Sequence, residues 1–279
     1  MSTTRRKRKS KKKNYILPLA AGLLVVCGLV AGIAFLESAL DRNSQPAEPT
    51  TQPRPTLEAS LYGPGDFSYD EKGYLALDAG EYQLGVDVSD HQQEIDWQTV
   101  ASAGIQFAFV RIGYRGYSEG NVFADEQAAY NLTNAKAAGL QVGAYFYSQA
   151  VNAEEAAQEA AFCVEYLKDH PLDLPVVFDW EYVSESARTG LMDTATLNEC
   201  AEVFCSAIEA AGYEAMVYFN PDLAQNLYDL TGLDEYPFWL AMYTDQMTYP
   251  YRVEYWQYTD SGTVPGIEGD VDLNLRFLD

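Results

Sequence analysis

Histidine is nearly missing from this chain: there are two, His91 and His170, far apart in the sequence. With no Cys/His cluster beside them they offer no ligand set for a catalytic zinc, so no metal and no cofactor is expected. Cysteine is scarce as well. Cys27 lies within an apolar run, which leaves Cys163, Cys200 and Cys205 for the rest of the chain. An odd number leaves at least one unbridged. Cys200 and Cys205 are five apart on what reads as one helix, badly aimed to bridge each other. Either Cys163 bridges one of them from a neighbouring helix, or all three are buried thiols packing as small hydrophobes. Basic residues are sparse everywhere except at the start. Eight of the 18 Lys+Arg fall between Arg5 and Lys13, which leaves 10 basic against 41 acidic residues from Asn14 onward. That balance repels phosphate backbones and argues against a nucleic-acid partner.

Directly after the basic cluster, Tyr15 to Phe35 carries no charged side chain. About 20 apolar residues span a bilayer as a helix, and flanking Lys/Arg fixes that end in the cytoplasm. The reading is a basic cytoplasmic tail over 1–14 and a transmembrane signal-anchor helix over 15–36, with the remainder extracellular at the cell membrane. The alternative is secretion after cleavage of a signal peptide, whose apolar region is shorter, about 7–15 residues. Residues 37–60, with Pro46, Pro49, Pro53 and Pro55 among polar side chains, read as an extended linker. Residues 61–83 read as a small hairpin or collar turning around Asp70–Gly73. A catalytic domain, expected to be monomeric, fills 84–279.

Over that domain short apolar runs alternate with helical stretches. The strand candidates are Leu84–Val88, Phe107–Ile112, Gln141–Tyr147, Val176–Phe178, Ala215–Phe219, Phe238–Met242, Val253–Tyr258 and Val271–Leu275. Three intervening helices end on Ala-Gly, at Gly104, Gly139 and Gly212, where glycine can turn left-handed before an apolar strand. Strand–helix alternation implies a parallel sheet. The last three strands have little room for helices between them. The expected fold is therefore α/β: an incomplete TIM-like (β/α)5(β)3 barrel, preceded by the transmembrane helix and linker.

In such barrels the C-terminal ends of the strands build the active site. Asp87 ends the first strand; Asp179 and Glu181 end the fourth, on one side because they are two apart on extended chain; Asp272 lies on the last. Asp90 and Asp96 read instead as turn or cap residues, Asp96 capping the helix that begins at Trp97. Four carboxylates in one cleft raise one another's pKa, which is how an acid stays protonated near neutral pH to serve a leaving group. That is the chemistry of glycoside hydrolysis. Aromatics at the same strand ends, Tyr145, Tyr147, Tyr218, Trp239, Tyr243, Trp256 and Tyr258, suit stacking on sugar rings, or else fill the barrel core. Two other motifs compete. Gly116-Tyr-Ser-Glu-Gly120 fits the serine-esterase elbow, which needs a strand-to-helix turn and a downstream histidine; His170, just before Pro171, is the only one that follows. Asn131-Leu-Thr133 fits a glycosylation acceptor.

Gly85-Val-Asp-Val-Ser-Asp-His-Gln92 followed by Ile95-Asp-Trp97 resembles the opening of glycoside hydrolase family 25, the Chalaropsis-type lysozymes. The likeness continues in order through Phe109-Val-Arg-Ile-Gly-Tyr114, Gly143-Ala-Tyr-Phe-Tyr-Ser148, Asp179-Trp-Glu181, Trp239-Leu-Ala-Met-Tyr243, Trp256-Gln-Tyr258 and Val271-Asp-Leu-Asn274. It implies an N-acetylmuramidase, cutting the β-1,4 bond from N-acetylmuramic acid to N-acetylglucosamine in peptidoglycan. By that resemblance Glu181 matches the general acid, and Asp179 the carboxylate that acts as nucleophile or supports the substrate's own acetamido group. Asp87 and Asp272 match the other two acidic residues. Tyr145, Tyr147, Tyr218, Trp239, Tyr243 and Gln257 sit in groove-lining motifs, and Arg111 is either a site residue or a buried structural arginine. A catalytically silent wall-binding module of the same fold is the rival reading.

Overall fold

The computed structural model describes residues 56–278. The tail, the apolar run and most of the linker lie outside the described residues. Among the described residues no helix is long and apolar enough to cross a membrane. The linker expected to reach residue 60 ends earlier. Arg252 N donates to Glu58 O (2.8 Å), Ser60 N donates to Pro250 O (2.9 Å), and Ala59 bridges Tyr251.

Strands β1 (Phe67–Tyr69) and β2 (Leu75–Leu77) pair antiparallel as the small hairpin. Asp70 Oδ1 closes its turn by accepting from Lys72 N and Tyr74 N, at 2.8 and 2.9 Å. The hairpin is held by two aromatics that the sequence suggested for sugar stacking. Trp256 meets Phe67 edge-on at 5.0 Å, and the Tyr258 hydroxyl accepts from Leu75 N at 3.3 Å. Both alternate with inward-facing Tyr255 and Gln257, so they point out of the barrel and away from its mouth.

The eight expected strands are β3 (Tyr82–Val88), β4 (Phe107–Arg115), β6 (Gln141–Ser148), β7 (Val176–Trp180), β8 (Ala215–Phe219), β9 (Phe238–Ala241), β10 (Tyr255–Gly262) and β11 (Val271–Phe277); between β4 and β6 lies a short edge strand, β5 (Val122–Ala124). They close in the order β3-β11-β10-β9-β8-β7-β6-β4, with β4 pairing back to β3. Helices α1 (Trp97–Ala103), α2 (Ala128–Ala137), α3 (Ala153–Leu167), α4 (Thr194–Ala210) and α5 (Pro221–Asn226) fall between the first six of these strands. Side chains of Asp96, Asn152, Asp193 and Asn220 cap α1, α3, α4 and α5. Gly104, Gly139 and Gly212 turn left-handed after the helices, as the Ala-Gly pattern predicts. One strand departs from a purely parallel barrel: β11 is antiparallel to both β10 and β3. Only residues 263–270 connect it to β10, and a parallel return needs a crossover of a dozen or more.

Inside the barrel Phe107, Phe109, Val177, Met216, Trp239 and Tyr255 form an aromatic-rich core, separate from the larger one between strands and helices. Room for it comes from glycine on either side of β4. A Cβ on Gly85 would sit 2.3 Å from the Phe107 ring, and one on Gly143 the same distance from Phe109. Gly85→Ala should therefore destabilise the domain by about 1–3 kcal/mol, as overpacked cores do. Denaturant titration checks this; an unchanged midpoint would mean that Phe107 relaxes freely.

Candidate active site

Alternation along each strand decides which side chains enter the mouth. On β7, Val177 and Asp179 face inward while Trp180 is buried outward, and Glu181 follows on the inner side. Asp87 lies at the corresponding end of β3. Asp272, second residue of β11, is paired directly with Asp87. Because β11 runs downward, its beginning rather than its end reaches the mouth. One cleft is lined by Asp87, Arg111, Tyr145, Tyr147, Asp179, Glu181, Tyr218, Trp239, Tyr243, Gln257 and Asp272. The four carboxylates, Arg111, Gln257 and five of the seven aromatics proposed from the sequence thus lie in one place, though not all in the manner expected; Trp256 and Tyr258 lie outside it.

Trp239 is 1% exposed and stacks on Phe109 at 4.8 Å. It is the floor of the cleft, not a platform for a sugar. Its indole Nε1 donates to Asn274 Oδ1 at 2.8 Å. Asn274 was not singled out from sequence, yet its Nδ2 donates to Asp87 Oδ2 at 2.8 Å, beside Gln257 Nε2 at 2.8 Å. The spacing of two between Asp272 and Asn274 on a strand was the available signal. Gln257 Oε1 accepts from the hydroxyls of Tyr218 (3.0 Å) and Tyr243 (3.3 Å). Its amide is thereby oriented, with the donor end on Asp87. Tyr218 is buried, whereas Tyr243 is 55% exposed at the rim. Arg111 lines the cleft but is held from behind. Its Nε donates to Asp125 Oδ2 (2.9 Å) and its terminal nitrogen to Asp90 Oδ1 (2.7 Å). Much of its hydrogen-bonding capacity is therefore already committed to protein carboxylates.

Burial pushes all four cleft carboxyls above their ordinary pKa values. Asp179 is raised well above its ordinary value by burial joined by the negative charges of Glu181 and Asp87, against the pull of Arg111; its Oδ1 is buried with no hydrogen-bond partner among the described residues. Glu181 is raised by burial and by Asp87, and held back by the Tyr218 hydroxyl. Asp87 is raised by burial and restrained by its bonds from Asn274 and Gln257. Asp272 is pushed from 3.8 to about 9, by burial and then by Asp87 beside it. Four carboxyls raised together in one cleft favour holding a proton among them, the condition that sets an acid beside a carboxylate.

A raised folded-state pKa has a definite consequence for stability. The contribution from protonated Asp272 is complete below its ordinary value of 3.8 and is lost as pH rises toward about 9. Asp272→Asn should accordingly raise Tm by several degrees at pH 8, a gain that vanishes near pH 4, while activity falls. Thermal melts across that range check the sign; equal gains at both ends would refute it.

The competing motifs dissolve in the structure. Gly116–Gly120 is the turn between β4 and antiparallel β5, not a strand-to-helix elbow. His170 stacks on Tyr166 at 5.5 Å, within a different face of the fold. Asn131 is fully buried and accepts from Trp97 Nε1 at 3.1 Å, so it is closed to glycosylation. Cys163, Cys200 and Cys205 are free and buried.

Paired carboxylates on one strand end, faced by two more across the mouth of a β/α barrel, define a glycoside hydrolase site. The chain belongs to the glycosyl hydrolases family 25, whose model matches residues 86–267. Lysozyme M1 of Streptomyces globisporus is 29% identical over 202 residues, covering 68% of this chain and 66% of that protein. The modular autolysin LytC of Streptococcus pneumoniae, solved with a synthetic peptidoglycan ligand, matches with a TM-score of 0.63 and 26% identity. That match covers 80% of this chain and 52% of LytC, about half its length. The bacterial lysozyme of Streptomyces coelicolor gives a TM-score of 0.57 and 26% identity over 72% of this chain and 93% of its own. The protein is a glycoside hydrolase of the lysozyme type.

Proposed function

We propose that this protein is an N-acetylmuramidase that hydrolyses the β-1,4 bond between N-acetylmuramic acid and N-acetylglucosamine in peptidoglycan. The observation that carries the reading is the unequal pair at the end of β7. Asp179 is buried, while Glu181, one residue beyond the strand, is part-exposed in the cleft. A part-exposed carboxyl with a raised pKa suits donation of a proton to the departing sugar oxygen. Glu181 takes that role. Asp179, inward of it, faces the developing positive charge at the sugar carbon, as nucleophile or as support for the substrate's acetamido group. Asp87, oriented by Asn274 and Gln257, and Asp272 keep the cleft negative, which favours an oxocarbenium-like transition state. The outward tyrosine Tyr243, with Tyr147 and Tyr145, contacts the sugar faces.

The run from Tyr15 to Phe35, after its basic cluster, supports a single membrane span with the catalytic domain outside the cell. Tethering supplies proximity that charge does not, because the domain and anionic wall polymers repel one another. Protease treatment of intact cells should then remove the catalytic domain and leave the tail protected. For the activity itself, the full-length protein incubated with purified peptidoglycan should release new reducing ends. No release from any wall type would favour the binding module instead.

A further inference from the structure

The backbone that carries Glu181 is not held by the barrel ladder. The last pair between β6 and β7 is Ser148 with Trp180, and from Glu181 the chain runs as coil and turns to the cap of α4 at Asp193. One side chain grips that segment at two points. Gln149, the residue after β6, is fully buried. Its Nε2 donates to the carbonyl oxygen of Glu181 at 2.8 Å and to that of Ser148 at 3.0 Å, and its Oε1 accepts from Thr189 Oγ1 at 2.9 Å. Its own carbonyl accepts from Arg188. Arg188 in turn makes a two-point pair with Glu155 in the first turn of α3, at 2.7 and 2.6 Å.

A primary amide is costly to bury unless its donors and acceptor are matched, and here both ends are. Its bonds span Glu181 and Thr189, so it closes the loop on itself while fixing the peptide plane from which the Glu181 side chain departs. Gln149 does not line the cleft, so it acts on the acid through the backbone alone.

We infer that Gln149 is a positioning residue for Glu181, working with Thr189 and the Arg188–Glu155 pair as a clamp on the loop that bears the acid. The inference rests on Glu181 being that acid. A displacement of about 1 Å at a reacting group can cost on the order of 100-fold in rate. The loss should fall on kcat rather than on substrate binding.

The test uses the full-length protein, purified peptidoglycan, and the variants Gln149→Met, Arg188→Leu and Glu181→Gln. Rates are corrected for the folded fraction. Gln149→Met, which keeps volume but removes both amide ends, should lower kcat at least about tenfold with KM changed less than about twofold. The alkaline limb of its pH–kcat profile should move to lower pH, because a loosened Glu181 gains water. Arg188→Leu removes the outer arm without touching the core and should shift both readouts in the same direction by less. A structural role alone would lower Tm and the folded fraction, leave the limb in place and overturn the inference. So would an unchanged kcat in both variants while Glu181→Gln is inactive. Full activity in Glu181→Gln would overturn the acid assignment itself, and the clamp with it.

Discussion

Glu181→Gln should lower kcat on peptidoglycan by roughly 10²–10⁴-fold, the usual contribution of a positioned general acid. KM should hold, since glutamine keeps the shape and much of the hydrogen bonding of the side chain it replaces. The same substitution should not destabilise the protein. Burial and the nearby charge of Asp87 already disfavour the ionised form of Glu181 in the folded state, so a permanently neutral side chain suits the site at least as well. Loss of activity together with unchanged or increased Tm at neutral pH is the signature of a group kept for chemistry at some expense of stability. Reducing-end release and a thermal melt on the same preparation measure both halves. Activity within about tenfold of the parent would remove Glu181 from the role of acid.

The largest effect on stability should come from a pair outside the cleft. Arg115 is 3% exposed and Glu159 fully buried, with Arg115 Nε 2.5 Å from Glu159 Oε1. Ser148 Oγ donates to the other carboxylate oxygen at 2.6 Å, and Arg115 also donates to the carbonyls of Gly120 and Glu155, at 2.7 and 2.9 Å. The pair ties β4, the β4–β5 turn and the end of β6 to α3. Arg115→Met leaves a carboxylate buried without its cation, which costs roughly 3–5 kcal/mol.

The pH dependence distinguishes that cause from lost packing. Even beside Arg115, burial pushes Glu159 from 4.5 to about 7. Its folded pKa is raised, so the stability due to its protonated form is complete below 4.5 and disappears as pH climbs through 7. Removing Arg115 raises that pKa further. At pH 5 the carboxyl is neutral with or without the arginine, and the substitution costs only its hydrogen bonds. At pH 8 it costs the full penalty. Denaturant titrations at the two pH values measure the difference, and equal losses would point to packing instead.

Much of this molecule was legible in its sequence because the barrel strands announce themselves by apolar runs, and β4, β6 and β8 a second time by the Ala-Gly helix ends before them. The direction of β11 was not, since a short apolar strand reads the same either way. Its direction follows from a connection too short to cross over. The edge strand β5 is three residues long, too short to show alternation. Charged site residues stood out because carboxylates at strand ends have few structural reasons to gather. Aromatics carry no such contrast: Trp239 in the floor, Trp256 and Tyr258 under the hairpin, and Tyr243 at the rim look alike as letters. Neutral amides are harder still. Asn274 meets Asp87 across 187 residues, and Gln149 follows a recognisable strand motif without belonging to any pattern of its own.

The central claim is that this cleft cuts a muramic acid linkage, and mass spectrometry of the soluble fragments from digested peptidoglycan tests it most directly. Fragments ending in reducing N-acetylmuramic acid, absent from the Glu181→Gln digest, are the predicted result. Fragments ending in reducing N-acetylglucosamine, or released equally by the variant, would contradict it.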